Sequence, residues 1–229
     1  MQQNLRVMAK TSGSTRGKSP STNPNLKGAG NTTPQTKHHY KLEYDDAIEH
    51  IMKLTGVEDR REAVAMYNAI DDFSYSDYDE IRAASYRGKA FRTKDLEKAD
   101  ALDRFIELSP KWNGGTTWRG LNLSDDVIDS FDKSMIGKTF DPMGISSWSS
   151  DQDASKGFTN LRNQFYLRCE KPQNGTSIRF ASSCPSENEV TCSSRCQYKI
   201  TNVTKETNYA GNKVTIVDLE PIANKPKRK

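Results

Sequence analysis

The spacing of apolar residues changes once along the chain, near residue 110, and this change limits the fold more than any other feature of the sequence. From Tyr44 to about Leu108, apolar residues recur every three or four positions, which predicts four amphipathic helices. Pro110 and the pair Gly114 and Gly115 end this pattern. The segments that follow are short and rich in β-branched residues, which predicts strands at residues 116–121, 144–149, 164–168, 177–180, 189–192, 197–203 and 213–219.

Two short helices are predicted among the strands, at residues 125–131 and 153–158, with Asp151 and Asp153 as candidate N-caps of the second. Helices that come first and strands that come afterwards are typical of an α+β fold, in which helices cover one side of an antiparallel sheet. We therefore expect one α+β domain over residues 43–221, with a helical layer at 43–110 and a mostly β part at 111–221.

The net positive charge of the chain lies at its two ends. The first 42 residues contain seven of the 34 Lys and Arg residues and none of the 30 Asp and Glu residues, and the last five contain four more. We interpret residues 1–42 as a disordered basic tail, because they show no hydrophobic period, and residues 222–229 as a short basic C-terminal tail. Since acidic residues outnumber basic ones between the tails, we expect no nucleic-acid binding except through the tails.

The sequence contains no run of about 18 apolar residues, so we expect no membrane-spanning helix and no membrane partner. The N-terminal residues lack the apolar core of about 7–15 residues that a secretory signal peptide needs. We therefore expect the protein in the cytoplasm of the cell that produces it or of a host cell. Association with a virion and delivery by a specialised route are the alternatives.

Three segments combine residue types that suit catalysis or the binding of an anion. The first contains Arg119, which is surrounded by apolar or β-branched neighbours in a predicted strand and is followed by Gly120. An arginine in such a strand is poorly placed for contact with water. It either pairs with a carboxylate in the core or binds an anion through two N–H groups, and the local pattern leaves both interpretations open.

The second segment is the serine-rich strand at residues 144–149. Alternate residues of a strand share a face, so Ser147 and Ser149 point one way and Trp148 points the other. Serine is a poor strand former, so several serines together need a reason. Taken alone, the pattern favours a polar edge strand.

The third segment contains two glutamates, Glu187 and Glu189. In a strand they would lie on the same face, with side chains about 6–7 Å apart. Such a pair can keep one carboxylate ionised against a developing cation while the other accepts a proton. The alternative is a solvated acidic turn.

The three segments follow one another in the order Arg, Ser-x-Ser, Glu-x-Glu-Val. This order on consecutive predicted strands resembles the Arg–Ser–Glu class of mono-ADP-ribosyltransferases, which includes bacterial toxins, phage enzymes and vertebrate ecto-enzymes. The resemblance extends over about residues 45–221 and implies the ADP-ribosyltransferase-like split β-sandwich with an N-terminal helical layer. Residues 78–81 are similar to the Tyr-x-x-Ile-Asn helix of the family, but Arg82 stands in place of the Asn. Trp148 and Ile145 also depart from the family pattern.

The resemblance implies NAD as co-substrate and no metal. Arg119 would bind phosphate, and Ser147 would order the nicotinamide pocket and hydrogen-bond Glu189. Glu189 would hold the ribose 2′-hydroxyl and stabilise the oxocarbenium-like transition state as nicotinamide leaves. Glu187 would orient and deprotonate the acceptor. In this family a Glu at that position goes with arginine as the acceptor, so the implied partner is an arginine of a target protein.

The resemblance also implies NAD contacts for five residues outside the central set: Gly120, Ser149, Arg162, Phe158 and Tyr78. For Arg162 the alternative is an ordinary surface arginine. Tyr78 and Phe73 could line the site, but buried aromatic residues more often belong to the core, and this interpretation is favoured. For Phe158, packing is favoured over stacking on nicotinamide.

Cys169, Cys184, Cys192 and Cys196 are the four cysteines of the chain, and they fall within 28 residues. The set contains no Cys-x2-Cys pair, and the three histidines lie upstream, which argues against a zinc site. Disulfides need an oxidising compartment. We therefore expect reduced cysteines that act as small apolar residues, with one or two disulfides after release from a cell as the alternative.

Two other functions stay open. The same fold could act mainly as an NAD glycohydrolase, with water as the acceptor. It could also be a non-catalytic phage structural or interaction module, which the unusual Trp148 and Arg82 and the long polar tail would suit. For the transferase we expect a phage particle, a specialised secretion system or a partner protein to provide delivery.

Overall fold

The computed structural model describes residues 5–6, 41–87, 92–171 and 174–226. Four helices lie where the apolar spacing predicts them: α1 (Tyr44–Thr55), α2 (Arg60–Tyr75), α3 (Tyr78–Arg87) and α4 (Thr93–Leu108). The first ends at Gly56, whose φ of 72° is a left-handed conformation that glycine adopts at no steric cost. Asp59 caps the second through a hydrogen bond from the backbone N–H of Arg61. No helix in these described ranges is long and apolar enough to cross a membrane.

The described residues contain nine strands and two further short α-helices. The helices are α5 (Asp125–Ser130) and α6 (Gln152–Lys156), and Asp151, not Asp153, is the N-cap of α6. The strands are β1 (Leu5–Arg6), β2 (Thr117–Leu121), β3 (Thr139–Asp141), β4 (Ser146–Ser149), β5 (Asn163–Cys169), β6 (Gly175–Ser177), β7 (Glu189–Cys192), β8 (Tyr198–Thr207) and β9 (Lys213–Pro221).

The strands form one hydrogen-bonded sheet in the order β1-β3-β8-β9-β5-β2-β4-β7-β6. The expected antiparallel sheet is wrong in one respect, because β5 runs parallel to β9 and β1 runs parallel to β3. Strands β2 and β4 are joined through the single pair Trp118 and Ser149. The sheet is therefore weakest at this junction, which separates six strands from the three strands β4, β7 and β6. This division is the split of the expected split sandwich.

Two apolar clusters form the core, one on each side of the three-strand part. The helical layer packs on Ile145, which directly precedes β4, and on Ile178 and Phe180 from the segment after β6. The second cluster contains Trp148, Val190, inner residues of the six-strand part and Ile128 of α5. Burying each such large apolar side chain contributes about 1.5–3 kcal/mol. Ile145 lies two residues before Ser147 in the chain.

Helix α3 is fixed to the loop that leads into β4. Ser85 donates a hydrogen bond to the carbonyl of Arg82 (2.7 Å) and accepts one from the backbone N–H of Ile145 (2.8 Å). Gly144 has φ of 102°, and a Cβ there would lie 2.5 Å from Ser85 Oγ and 2.7 Å from the carbonyl oxygen of Arg82. Only glycine lets the loop approach the helix this closely. The contact holds α3 close to the start of β4.

Both predicted tails extend beyond the described residues. Of the predicted N-terminal tail, residues 1–4 and 7–40 lie outside them, as do residues 227–229 of the C-terminal tail. Residues 222–226 lie along the domain instead of leaving it. The backbone N–H groups of Ile222 and Lys225 donate to Gln197 and Arg195, and the Lys225 ammonium pairs with Asp141 at 2.9 Å.

Candidate active site

Arg119 lies in the middle of β2 and is only 8% exposed. Its Nη2 donates a hydrogen bond of 3.2 Å to the hydroxyl of Tyr78, the first residue of α3. Its Nη1 is buried and has no hydrogen-bond partner. It forms no ion pair with any described residue, so the alternative of a core carboxylate partner is wrong. A buried guanidinium that has an N–H group without a hydrogen-bond partner is suited to binding an anion.

Ser147 and Glu189 meet across the neighbouring strands β4 and β7. These strands are antiparallel, with Ser147 opposite Thr191 and Ser149 opposite Glu189. The Ser147 hydroxyl donates a hydrogen bond to the Glu189 carboxyl, and the Thr191 hydroxyl donates a second one of 3.3 Å to Glu189 Oε1. The two hydroxyls hold the carboxyl in one orientation. Residue 191 shares a strand face with residue 189, so period two could have indicated Thr191, which the sequence reasoning missed.

The Glu189 carboxyl is 3% exposed, and this burial dominates its chemistry. Burial raises the pKa of Glu189 to about 7, and the negative charge of Glu187 acts in the same direction. The hydrogen bonds from Ser147 and Thr191 and the positive charge of Arg119 act in the opposite direction. A carboxyl that titrates near neutral pH beside an unpaired arginine is typical of a functional site.

The prediction that Glu187 and Glu189 share a strand face is wrong. Glu187 is the last residue of a 3₁₀ turn, Pro185–Glu187, and β7 begins only at Glu189. Between them Asn188 has φ of 49° and ψ of 45°, a left-handed conformation that turns the chain and breaks the two-residue period. The partly buried Glu187 is still close enough for its charge to raise the pKa of Glu189.

Ser149 and Trp148 have packing roles. The Ser149 hydroxyl donates to the carbonyl of Glu187 (2.6 Å) and accepts from the backbone N–H of Asp151 (2.9 Å). It therefore ties the end of β4 to the turn that carries Glu187. Trp148 points to the other side of the strand, as predicted, where its ring packs on Tyr198 at 5.4 Å between centroids. Its Nε1 donates to Ser146 Oγ at 3.0 Å.

Gly120, next to Arg119, lies directly under α6. A Cβ at this position would be 2.1 Å from the carbonyl oxygen of Ser155 and 2.8 Å from the methyl carbon of Thr159. This close approach of α6 to β2 accounts for the glycine through packing alone.

Arg82 is a further charged residue of the site that the sequence reasoning did not select. Its Nη2 donates to the carbonyl of Pro142 at 2.9 Å, and its Nε is buried without a partner. Burial lowers the pKa of Arg82, and the positive charge of Arg119 acts in the same direction. The available signal was the substitution of the family's Asn by this residue. Local sequence does not show whether an arginine is paired with a carboxylate, so this substitution alone did not indicate a function for Arg82.

The outer candidates divide into two groups. Tyr78 is partly buried and contacts Arg119, while Phe73 is buried in the helical core, with its ring 4.8 Å from that of Tyr78. Phe158 and Arg162 lie on the loop between α6 and β5. Phe158 is 53% exposed, so the favoured packing role is wrong. Arg162 is exposed as well.

The cysteines lie mostly inside the β part. All four are free, and Cys169, Cys192 and Cys196 are buried. Burial raises the pKa of the Cys169 thiol to about 11, so the group stays protonated and apolar at neutral pH. Among the described residues, no group of three or more His, Cys, Asp or Glu side chains is arranged to hold a metal ion.

A helical layer on a split mixed sheet, with Arg, Ser and Glu brought together at its junction, defines the class of ADP-ribosyltransferases. Residues 43–224 match the family model of the ADP-ribosyltransferase exoenzyme. The chain belongs to this family. No curated protein sequence matches the chain significantly.

Solved structures of bacterial toxins share the fold. Vis from Vibrio splendidus, in a complex with agmatine, has a TM-score of 0.57 and 16% sequence identity over 80% of this chain and 87% of its own. The enzymatic component C2-I of the C2 toxin from Clostridium botulinum has a TM-score of 0.59 and 17% identity over 80% of this chain, but only 46% of its own. Exoenzyme S from Pseudomonas aeruginosa, bound to human 14-3-3 protein beta and carba-NAD, has a TM-score of 0.52 and 12% identity over 76% of this chain and 87% of its own.

Proposed function

We propose that the protein is an NAD-dependent mono-ADP-ribosyltransferase that transfers ADP-ribose to arginine side chains of a target protein. One observation carries the proposal. The buried Glu189 carboxyl accepts hydrogen bonds from Ser147 and Thr191 beside the guanidinium of Arg119, which has no ion-pair partner among the described residues. Membership of the family supports transferase chemistry, and the carba-NAD bound to exoenzyme S supports NAD as the co-substrate.

Arg119 is proposed to bind the diphosphate of NAD. The open Nη1 group is a buried donor, and a phosphate oxygen is an acceptor that would satisfy it. Tyr78 holds the other end of the guanidinium and so fixes the direction in which Nη1 points.

Glu189 is proposed to stabilise the reacting ribose. The ionised carboxylate would hold the 2′-hydroxyl and face the oxocarbenium-like carbon as the bond to nicotinamide breaks and its electron pair leaves with nicotinamide. The hydrogen bonds from Ser147 and Thr191 stabilise the ionised carboxylate in this orientation. The positive nicotinamide ring of NAD favours the ionised form as well, so bound NAD lowers the pKa of the group.

Glu187 is proposed to serve the acceptor. A guanidinium nitrogen attacks C1′ of the ribose and forms the new C–N bond, and its proton passes to a carboxylate. Glu187 is a carboxylate on the turn directly before β7, near Glu189 but less buried, where an acceptor from outside can reach it. The complex of Vis with agmatine, a small guanidino compound, supports arginine as the acceptor.

The test is NAD turnover by the purified full chain, with NAD labelled in its ADP-ribose part and with or without agmatine. We expect labelled agmatine and faster nicotinamide release when agmatine is present. Glu189→Gln should abolish both transfer and NAD hydrolysis. Glu187→Gln should abolish transfer to agmatine and leave much of the hydrolysis, because water needs less help from a base than a guanidinium does.

Other outcomes would assign another function. Equal hydrolysis with and without agmatine would identify an NAD glycohydrolase. An absence of turnover by folded protein would overturn the enzymatic proposal and favour a non-catalytic module. The target protein and the route of delivery, by a phage particle or a specialised secretion system, belong to the same proposal and would be tested on cell extracts with labelled NAD.

A further inference from the structure

Two guanidinium groups, those of Arg82 and Arg119, face the same site from different elements. Arg82 and Tyr78 are four residues apart on α3, so their side chains lie on the same face of the helix. The Tyr78 hydroxyl accepts a hydrogen bond from Arg119. Arg82 is therefore one helical turn from the group that anchors Arg119, and the charge of Arg119 is close enough to affect its protonation.

The positions of both guanidiniums are set by the fold. Arg82 Nη2 donates to the carbonyl of Pro142, in the loop before β4, and Arg119 Nη2 donates to Tyr78. The backbone of Arg82 is held to the same loop through Ser85 and the close approach of Gly144. Each guanidinium is thus fixed through one of its nitrogens. The loop that contains Pro142 leads directly into β4, the strand that carries Ser147.

Each guanidinium also keeps one buried N–H group without a hydrogen bond, Nε in Arg82 and Nη1 in Arg119. Neither arginine forms an ion pair with any residue in the described ranges. Two neighbouring positive charges with unpaired buried donors are unfavourable, since nearly all buried polar groups find partners. An anion that accepts from both donors removes both costs together.

We infer that Arg82 is a second ligand of the diphosphate group, so that Arg82 and Arg119 together bind a diphosphate through Nε and Nη1. A diphosphate fits because its negative charges are spread over two phosphates, which two separate guanidiniums can share. The inference rests on the proposed function in its choice of NAD as the natural source of the diphosphate. It goes beyond that function because the resemblance places an uncharged Asn at this position.

The test measures binding rather than turnover. The affinities of the purified full chain for NAD, ADP and inorganic pyrophosphate are determined by calorimetry for wild type, Arg82→Gln and Arg104→Gln. Glutamine is two atoms shorter than arginine, so it removes the charge and the terminal nitrogen that donates to the Pro142 carbonyl, and its amide lies near the former position of Nε. Arg104→Gln is the matched control, because Arg104 is an exposed arginine that pairs with Glu62 in the helical layer.

Arg82→Gln should weaken the binding of all three compounds by about 10- to 100-fold, the loss typical of a hydrogen bond to a charged group, and Arg104→Gln should leave it within twofold. Equal affinities of Arg82→Gln and Arg104→Gln for ADP and pyrophosphate would overturn the inference, as would a wild type that binds neither. If Arg82→Gln does not fold, Arg82→Lys decides, because lysine keeps the charge but lacks Nε. Wild-type affinity for pyrophosphate in that variant would overturn the inference.

The result is separable from the proposed function. Pyrophosphate binding that depends on Arg82, in a protein that does not turn over NAD, would support the two-arginine site and overturn the enzymatic proposal. NAD turnover that is lost in Glu189→Gln, together with unchanged ADP binding in Arg82→Gln, would support the enzymatic proposal and overturn the two-arginine site.

Discussion

Glu189 combines a proposed catalytic role with a cost in stability, because its carboxyl is buried. Its pKa is about 7 in the folded protein, against an ordinary value of 4.5. The folded state therefore binds the proton more tightly than the unfolded state does. The resulting stabilisation is full below about pH 4.5 and is lost as the pH rises through 7. A shift of this size corresponds to about 3 kcal/mol.

Glu189→Gln should therefore be inactive and yet more stable than wild type at high pH. Urea unfolding at pH 8.5 should give a free energy of unfolding up to about 3 kcal/mol higher for the variant, and the difference should shrink towards pH 4.5. At NAD concentrations well below KM, wild-type turnover should rise with pH through about 7, because kcat/KM follows the ionisation of the carboxyl in the free enzyme. A difference in stability that does not change with pH would contradict the assignment of this pKa to Glu189.

Gly120 offers a test of packing beside the site. Gly120→Ala places a Cβ 2.1 Å from the carbonyl oxygen of Ser155, which is backbone and cannot rotate away. We expect a loss of about 1–3 kcal/mol in stability by thermal unfolding, as for other overpacked sites. Gly157→Ala is the control, since its Cβ would meet its nearest neighbour at 3.8 Å and its φ is −60°. Equal stabilities of the two variants would show that α6 moves freely on β2.

The direction of a side chain was predictable where it follows from the alternation within a single strand. Ser147 and Trp148 point to opposite sides of β4 because a strand alternates, and this follows from the sequence alone. Glu187 was misplaced because a single left-handed residue, Asn188, interrupts the alternation. Arg82 was missed because the absence of a partner is a property of the folded molecule, and a sequence does not show which carboxylates come near.

Among the elements, the segment between β6 and β7 bears most directly on the acceptor. This segment, residues 178–188, carries Glu187 and is called the Glu187 loop here. It is fixed to α2 through Ser183, whose hydroxyl donates to Asp71 Oδ1 at 2.6 Å and whose backbone N–H donates to Ser74 Oγ at 2.9 Å. The Lys41 ammonium donates to both Asp71 and Ser183. Asp71 is therefore the centre of a tether that positions the Glu187 loop.

Asp71→Asn should weaken this tether and affect the acceptor more than NAD. The KM for agmatine should rise about three- to tenfold, as for the loss of one or two hydrogen bonds, while NAD hydrolysis without agmatine stays within twofold. Steady-state kinetics with varied agmatine would measure the KM for agmatine, and nicotinamide release without agmatine would measure NAD hydrolysis. Asp72→Asn is the matched control, because Asp72 lies on the same helix but pairs with Lys98, away from the loop. If both variants raise the KM equally, the tether has no positioning role.

The long elements were predictable, whereas some of the short ones were not. Helices α1, α2 and α4 show several turns of apolar spacing, which is a strong local signal. Strand β3 is three residues long and was missed, because three residues do not establish an alternation. Residues 177–180 were predicted as a strand, but β6 ends at Ser177. Ile178 and Phe180 are buried as strand residues would be, yet they pack on the helices from a turn.

At the scale of the whole molecule, the parallel pair β5 and β9 was the feature that sequence could not reveal. Neighbours in the sequence pair most often in antiparallel fashion, but β9 returns past β8 to lie beside β5 over seven residue pairs, from Asn163 to Cys169. Pairing between distant segments depends on the complete topology. The order Arg, Ser, Glu could still be recognised, because each of the three residues lies on or beside a strand near the junction of β2, β4 and β7.

The C-terminal segment, residues 222–226, is bound to two separate parts of the domain. Residues 222–226 close over the turn at residues 195–197, and Lys225 binds both oxygens of the Asp141 carboxylate, at 2.9 and 3.0 Å. Asp141 also accepts from the backbone N–H of Met143, in the loop that positions Arg82 and β4. Removing the segment therefore breaks two backbone hydrogen bonds and unpairs a partly buried carboxylate.

Truncation after Pro221 should destabilise the protein by about 1–3 kcal/mol, since each hydrogen bond contributes about 0.5–1.5 kcal/mol and the ion pair adds less. For a chain of this size the midpoint of thermal unfolding should fall by about 2–10 °C. Removal of residues 227–229 alone is the matched control, because it deletes three of the four basic charges and leaves Lys225 in place. If the two truncations lower the midpoint equally, the effect comes from charge and not from the segment that covers Asp141.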